Sequence, residues 1–350
     1  MTIDKAYCMS SFLMYRTIVD PDKTFAAGIR PQLWSGEGER ELIHNSQELE
    51  NSLRKSVEAA CRGGRAALAL SGGIDSAILA KFMPKGSVAY TFKCVVPGIQ
   101  VTDETPQAAQ YAEACGLEQR VLEVYWEDFE QYAPLLMAHK NSPFHSIEVQ
   151  IYKAALQAKK DGFDVLIFGE TADANYGGFS GLMSKEWTVG EFIDRYSYVL
   201  PHHALKDFCL VTEPVVRYAE NGYVNAHEFL RDIFRHESVG SYTDACDAAG
   251  IQFAAPFNCT WLAEPLDIQR VRNGENKYLV REVFERLYPG WSVPAKLPMP
   301  RATNEWLRNW GGPVRPEFWP HCTDPMTGDQ KWLVWCLERF LNMIDEERKN

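Results

Sequence analysis

Two short clusters carry residues suited to phosphate and acyl chemistry. The first is Ser71-Gly72-Gly73-Ile74-Asp75-Ser76. An apolar run, Ala66 to Leu70, precedes it and is long enough for a buried strand, and Ile74 to Phe82 follow with helical spacing. A strand that feeds a glycine turn and opens a helix suits an anion. Glycines let the backbone come close, and free N–H groups at the helix start point outward. Asp75 stands where it could hold a metal counter-ion. An ordinary tight turn would account for a bare Gly-Gly, but here each polar residue has a separate use. The second cluster is Phe168-Gly169-Glu170-Thr171-Ala172-Asp173-Ala174-Asn175-Tyr176-Gly177-Gly178, directly after the apolar Val165 to Phe168. Its two carboxylates lie on a glycine-bounded loop. One could hold magnesium while the other takes a proton from a nucleophile. Capping of the next turn is their plainer use. Neither cluster is the Gly-Lys-Ser/Thr loop of kinases and GTPases, nor a G-x-G-x-x-G dinucleotide turn.

The elements that must position these clusters read as alternating strands and helices between residues 65 and 170. Val88 to Phe92 and Val121 to Val124 are further short apolar runs. Helical patterns lie between them: one from Ala108 to Cys115 with Thr102 as its cap, then Trp126 to His139 and Ser146 to Lys160. Strand–helix alternation predicts a parallel α/β sheet, with ligands outside the C-terminal strand ends. Upstream, Ser46 to Ala60 reads as a helix capped by Ser46, and Phe12 to Val19 as a strand or short helix. Gly36 to Glu41 reads as a hairpin or linker. Downstream, few clean strands are expected. Ala226 to Phe234, Tyr278 to Leu287 and Lys331 to Ile344 read as helices, and Pro289 to Pro320 as a cover over a surface or cleft.

The 350 residues are 46% hydrophobic and 24% charged, which is enough apolar material for a sizeable core. A net charge of −11 argues against non-specific nucleic-acid binding. The nine cysteines form no C-x-x-C pair and no zinc spacing, which fits reduced thiols in a cytoplasmic protein. No signal peptide is expected, and no run reaches the ~18 apolar residues needed to span a membrane.

The first cluster resembles the signature of the N-type ATP pyrophosphatases, or PP-loop enzymes. The two clusters together resemble the synthetase domain of asparagine synthetase B and its β-lactam and carbapenam synthetase relatives. That family follows Ser-Gly-Gly-x-Asp-Ser with Gly-Glu-Gly-(Ser/Ala)-Asp-Glu-x-x-Gly-Gly. This chain keeps Gly169, Glu170, Asp173, Gly177 and Gly178 in register, with Thr171 in place of a glycine and Ala174 in place of the second Glu. The β-lactam synthetases resemble it in lacking that Glu, but carry Tyr where Glu170 stands. A third patch, Gly274 to Glu282, resembles the Gly-x-x-Lys-x-x-Leu-Arg-Glu stretch of asparagine synthetases, with Val280 for the Leu. Ala255-Pro256-Phe257-Asn258 resembles Val-Pro-Phe-Leu-Asp, but Cys259 stands where the Asp would be.

The resemblance implies an α/β fold of the N-type ATP pyrophosphatase (adenine nucleotide alpha hydrolase-like) type with a largely helical C-terminal part. It covers about residues 46–350. Residues 1–45 resemble the junction between glutaminase and synthetase, and Thr2 stands where a glutaminase needs its cysteine. A chain without its own glutaminase is therefore expected. ATP and Mg2+ are the implied cofactors. Ser71, Gly72, Gly73 and Ser76 would take the pyrophosphate part, and Leu70, Cys94 and Gly169 match positions that contact the nucleotide. Asp75 and Asp173 would bind magnesium, Glu170 would act as acid/base, and Lys277 would face the α-phosphate. The expected reaction is AMP-forming amide synthesis from a small-molecule carboxylate. The nitrogen would come from ammonia, an amine on a second substrate, or a separate glutaminase. Two alternatives stand beside it: sulfur transfer, with Cys94 as the suggestive thiol, and ATP binding without catalysis, suggested by Thr171 and Ala174.

Overall fold

Five parallel strands form the frame on which both clusters are mounted. The computed structural model describes residues 1–34, 36, 38–295 and 299–347. The strands are β1 (Ala66–Ala69), β2 (Val88–Cys94), β3 (Glu118–Val124), β4 (Val165–Ile167) and β5 (Gln252–Ala254). Their order is β5-β4-β1-β2-β3, and every neighbouring pair is parallel. The chain therefore runs outward from β1 in one direction, then returns to build β4 and β5 on the other side. The loops leaving β1 and β4 diverge at this reversal, and in open α/β sheets that crevice is where ligands bind. The α/β class expected from the strand–helix alternation is the one observed. The fifth strand was not expected: Gln252–Ala254 is short and lacks a marked apolar run.

Both faces of the sheet are covered, which explains why β1 and β4 are apolar without alternation. Ala67 and Ala69 point to one layer and Ala66 and Leu68 to the other. The first layer holds α1 (Lys5–Tyr15) and, from farther along the chain, four crossover or C-terminal helices. The second holds α2 (Ser46–Cys61), α3 (Ile74–Ala80) and α4 (Thr105–Cys115). The helices of the first layer are α5 (Trp126–Lys140), α6 (Ile147–Lys160) and, after the short α7 (Ala172–Tyr176), α8 (Arg235–Ala249). Then α9 (Tyr278–Leu287) joins the second layer and α10 (Gly328–Glu347) the first. Trp332 of α10 is fully buried, with its ring 5.2 Å from Phe129 and 5.5 Å from Phe144.

Local signals explain several boundaries and correct others. Asn45, not Ser46, caps α2 by accepting from the N–H groups of Gln47 and Glu48. Thr102 lies outside α4, where Asp103 accepts from Thr105 N–H instead. The segment from Phe12 is helical only to Tyr15, in a helix capped by Asp4. Ala226 to Phe234 is not an isolated helix. An α-helical turn passes through a π-helical stretch, Leu230–Phe234, and continues as α8. The expected hairpin or linker at Gly36 to Glu41 lies partly outside the described residues. Among the described residues no helix is long and apolar enough to cross a membrane.

Residues 1–45 contribute to the core. Phe12 and Leu13 of α1 are fully buried, and Phe25 packs edge-on against Phe340 of α10 at 5.0 Å. Directly after α1, Arg16 takes a left-handed conformation with φ 61° and turns into the interior. Its guanidinium donates to Glu237 of α8 at 2.6 Å, contacts His145 at 2.8 Å and lies over the Tyr198 ring at 4.0 Å. A second buried set joins Lys140 to Glu148 at 2.8 Å and to Asp244 of α8 at 3.2 Å. Burial pushes the Glu237 carboxyl up, while Arg16 and Lys140 pull it back toward ionisation. Removing one member of such a pair leaves its partner charged and unpaired in the interior. Arg16→Met is therefore expected to lower stability by about 3–5 kcal/mol in urea unfolding. A loss under about 1 kcal/mol, the value of an exposed pair, would show that the pair does not pin α8.

Candidate active site

The turn after β1 is tied internally before any ligand arrives. Ser71 N–H donates to Ser76 Oγ at 3.0 Å, the two hydroxyls lie 3.0 Å apart, and Gly73 N–H donates to Ser71 Oγ at 3.1 Å. Gly72 N–H donates to Glu104 Oε2 at 3.0 Å. Space at 72 is tight: a Cβ there would lie 3.3 Å from the Cβ atoms of Glu104 and Gln107, which would have to give way by a few tenths of an ångström. Burial pushes the Glu104 carboxyl up to about 7, against the Gly72 N–H bond that favours ionisation.

The loop after β4 approaches the same turn closely. A Cβ on Gly169 would lie 3.0 Å from both Asp75 Cβ and Ser76 N. Thr171 then adopts φ 72°, the left-handed region that glycine favours. Asn175 braces the loop by donating to Phe257 O and Thr260 O at 3.0 Å each, and Tyr176 Oη donates to Thr260 Oγ1 at 2.7 Å. Gly178 returns against Asp173, where a Cβ would lie 2.7 Å from Asp173 Cα.

Lys277 enters from the start of α9, also left-handed at φ 56°. Its Nζ donates to both oxygens of Asp75 at 2.5 Å and lies 3.2 Å from Asp173 Oδ1. Burial alone would lower the Lys277 ammonium, but Asp173 and Asp75 outweigh it and hold it above its ordinary range. Glu170 faces α8: Ser238 Oγ donates to Glu170 Oε1 at 2.7 Å. Tyr242, one turn further along α8, has its phenol pushed up by burial and by Glu170.

These groups line one cavity of about 240 Å³. Ser71, Gly73, Asp75 and Ser76 of the turn line it together with Glu170, Asp173 and Lys277. Leu70 and Gly169 line it as well, and Phe92, Phe168 and Met299 supply an apolar end. Gly72 stands just behind the rim. Val293 and Pro294 also line the cavity, so part of the Pro289 to Pro320 stretch does cover a cleft. Cys94 does not join the site. It is buried, its Sγ donates to Pro300 O at 3.2 Å, and burial pushes the thiol up to about 11. Phe92, two residues earlier on the same face of β2, lines the cavity, while the Cys94 thiol is buried under Pro300.

Sequence reasoning missed Glu104, Ser238 and Tyr242. The last two stand four apart on one helical face, a spacing that was legible once α8 was known to exist. Magnesium fits the donor set. Among the described residues no group of three His, Cys, Asp or Glu side chains could hold a metal. Two carboxylates, Asp75 and Asp173, do converge on one cation, Lys277 Nζ. Magnesium commonly takes one or two carboxylates and completes its shell with phosphate oxygens and water.

Residues 48–258, more than half the chain, match the family model described as Asparagine synthase. No curated protein sequence matches the chain. Among solved structures, the chain is similar to an NH3-dependent NAD synthetase from Campylobacter jejuni, at 13% identity and a TM-score of 0.26, over 39% of this chain and 61% of that one. The chain thus spans under two thirds of that protein's length. It is similar also to an NMN synthetase from Francisella tularensis, at 12% identity and a TM-score of 0.29, over 73% of this chain and 99% of that one. A tRNA thiolase from Methanococcus maripaludis is similar at 16% identity and a TM-score of 0.26, over 72% and 82% of the two chains.

The geometry has a consequence for pH. The folded-state value of Glu104, about 7, lies above its ordinary 4.5. Between those values the folded state binds the extra proton, so this group favours folding at low pH and the benefit is lost as pH rises toward 7. Glu104→Gln keeps an acceptor for Gly72 N–H and removes the titration. The stability difference between wild type and variant, from urea midpoints, should therefore change with pH between about 4.5 and 7. A difference that stays constant across that window would mean Glu104 is not buried as described. Separately, Gly178→Ala should displace Asp173 and weaken nucleotide binding at least tenfold by calorimetric titration, with little loss of the remaining fold.

Proposed function

The chain belongs to the asparagine synthase family, and on that premise we propose that it uses ATP to join a small carboxylate to a nitrogen nucleophile. The carboxylate oxygen attacks the α-phosphorus, the bond to the β-phosphate oxygen breaks, and pyrophosphate leaves. The nitrogen of ammonia or an amine then attacks the acyl carbon of the adenylate, and AMP departs with the electron pair of the broken C–O bond.

In this reading the Ser71–Ser76 turn receives the pyrophosphate part, and the apolar end near Leu70 and Phe92 receives the base. Lys277 steadies negative charge gathering on carbonyl and phosphate oxygens, where a fixed cation in a partly dry cavity is most effective. Glu170 takes the proton from the nitrogen. Ser238 donates to Oε1 of that carboxylate, and the Tyr242 phenol also hydrogen-bonds to it, so both hold it in place. Asp75 and Asp173 would hold Mg2+, which when bound offsets phosphate charge. The observation that supports the reading most is the convergence of Glu170, Asp173, Asp75 and Lys277, from separate parts of the chain, on one cavity beside the Ser-Gly-Gly turn. Sulfur transfer loses its candidate thiol, because Cys94 points into the core.

Pyrophosphate release in the presence of candidate carboxylic acids tests the proposal. Glu170→Ala should retain part of the acid-dependent release but lose amide formation, whereas Lys277→Ala should lose release by at least about 100-fold. Equal loss of both steps in Glu170→Ala would count against its acid/base role. Nucleotide binding without pyrophosphate formation across the acid panel would overturn the ligase reading.

A further inference from the structure

Away from the catalytic cavity, three arginines surround one tryptophan. The guanidinium carbon of Arg231 lies 4.1 Å from the Trp261 ring centroid, that of Arg40 at 5.0 Å and that of Arg235 at 5.7 Å. We propose that Arg40, Arg231 and Arg235 around Trp261 form a binding site for a doubly charged oxyanion, the phosphate or dicarboxylate end of a small ligand.

The hydrogen-bond inventory points the same way. Arg40 donates to the carbonyl oxygens of Gly36 and Gly38, and Arg235 to Arg231 O and Asn258 Oδ1. Of the three, Arg231 alone has a carboxylate in hydrogen-bond contact among the described residues, the half-buried Glu228 at 2.8 Å. Three N–H donors in the cluster are buried without an acceptor: Arg40 Nε, Arg231 Nε and Trp261 Nε1. Buried donors are normally satisfied, so three around one ring signal a missing acceptor. Burial and mutual repulsion hold both Arg40 and Arg235 below the usual guanidinium range. An oxyanion would supply the missing charge and the missing acceptors together, and the planar guanidinium fork matches its paired oxygens. On a chain of net charge −11 this is a local reversal of sign.

Arg235 lies over Trp34 at 5.0 Å, and Trp34 lines a second cavity of about 760 Å³ together with His236 and Arg217. The acid in that cavity, Asp232, is already bonded to His236 and to Tyr218. Neither the three arginines nor Trp261 line this cavity or the catalytic one, so the cluster meets the second cavity only through Trp34.

Calorimetric titration of inorganic phosphate and of succinate into wild type, Arg40→Gln and Arg231→Gln tests the assignment. Saturable binding is expected in wild type, weakened at least about tenfold in each variant, since each loses a charged hydrogen bond to the anion. Tighter binding of phosphate marks a phosphate-bearing ligand and tighter binding of succinate a dicarboxylate; either supports the site. Phosphate held only at the catalytic turn would give isotherms unchanged by both variants and would overturn it, as would no binding of either anion. Arg40 is partly exposed on a loop, so Arg40→Gln decides the matter if Arg231→Gln fails to give a native circular-dichroism spectrum.

Discussion

Lys277 reaches from the start of α9 to meet Asp75 on α3 and Asp173 on α7. None of these three segments adjoins another in sequence, and none would bring a charge into a partly dry cavity alone. A lone buried ammonium would lose its proton, and two adjacent carboxylates would resist ionising together. Each charge is tolerable only because the others are present. The sheet makes the meeting possible. The reversal of strand order between β1 and β4 sets the Asp75 turn and the Asp173 loop side by side, and Gly169 lets their backbones nearly touch.

The helix α8 does for Glu170 what this ion cluster does for the turn after β1. Its residues divide by helical spacing into three working faces. Ser238 and Tyr242 address Glu170. Glu237 and Asp244 enter buried ion pairs with Arg16 and Lys140. Gly240 lets Trp34 pack at the remaining side, where an added Cβ would already lie 3.4 Å from Trp34 Cβ. A rotation of α8 that relieved one face would break the other two, so the Glu170 carboxylate inherits its orientation from ion pairs that never touch the cavity.

The two glycine-bearing clusters were legible because their residue types have few other uses, and the strands feeding them are plainly apolar. The parallel sheet followed from the alternation of strands and helices. The fifth strand was not legible, since Gln252–Ala254 takes its place by pairing with β4 rather than by its own propensity. Arg16, Glu237 and Lys140 look like surface residues in sequence and become buried only because each has a partner far along the chain. Cys94 shows the opposite error. It stands at the strand end on the same face as Phe92, which lines the cavity, but its thiol is buried against Pro300 O instead.

Thr171 turns an apparent departure from the family pattern into a statement about rigidity. A β-branched residue held at φ 72° is strained by about 1–3 kcal/mol, and such conformations persist only where the surroundings over-determine them. The Asn175 and Tyr176 hydrogen bonds are those surroundings. Unlike glycine, threonine offers the loop few other backbone states to wander into. The interval between Glu170 and Asp173 is thus held by tension rather than by slack. The loop carries its reactive shape as a standing property, at the expense of being among the places where this molecule would gain stability most readily by giving up that shape.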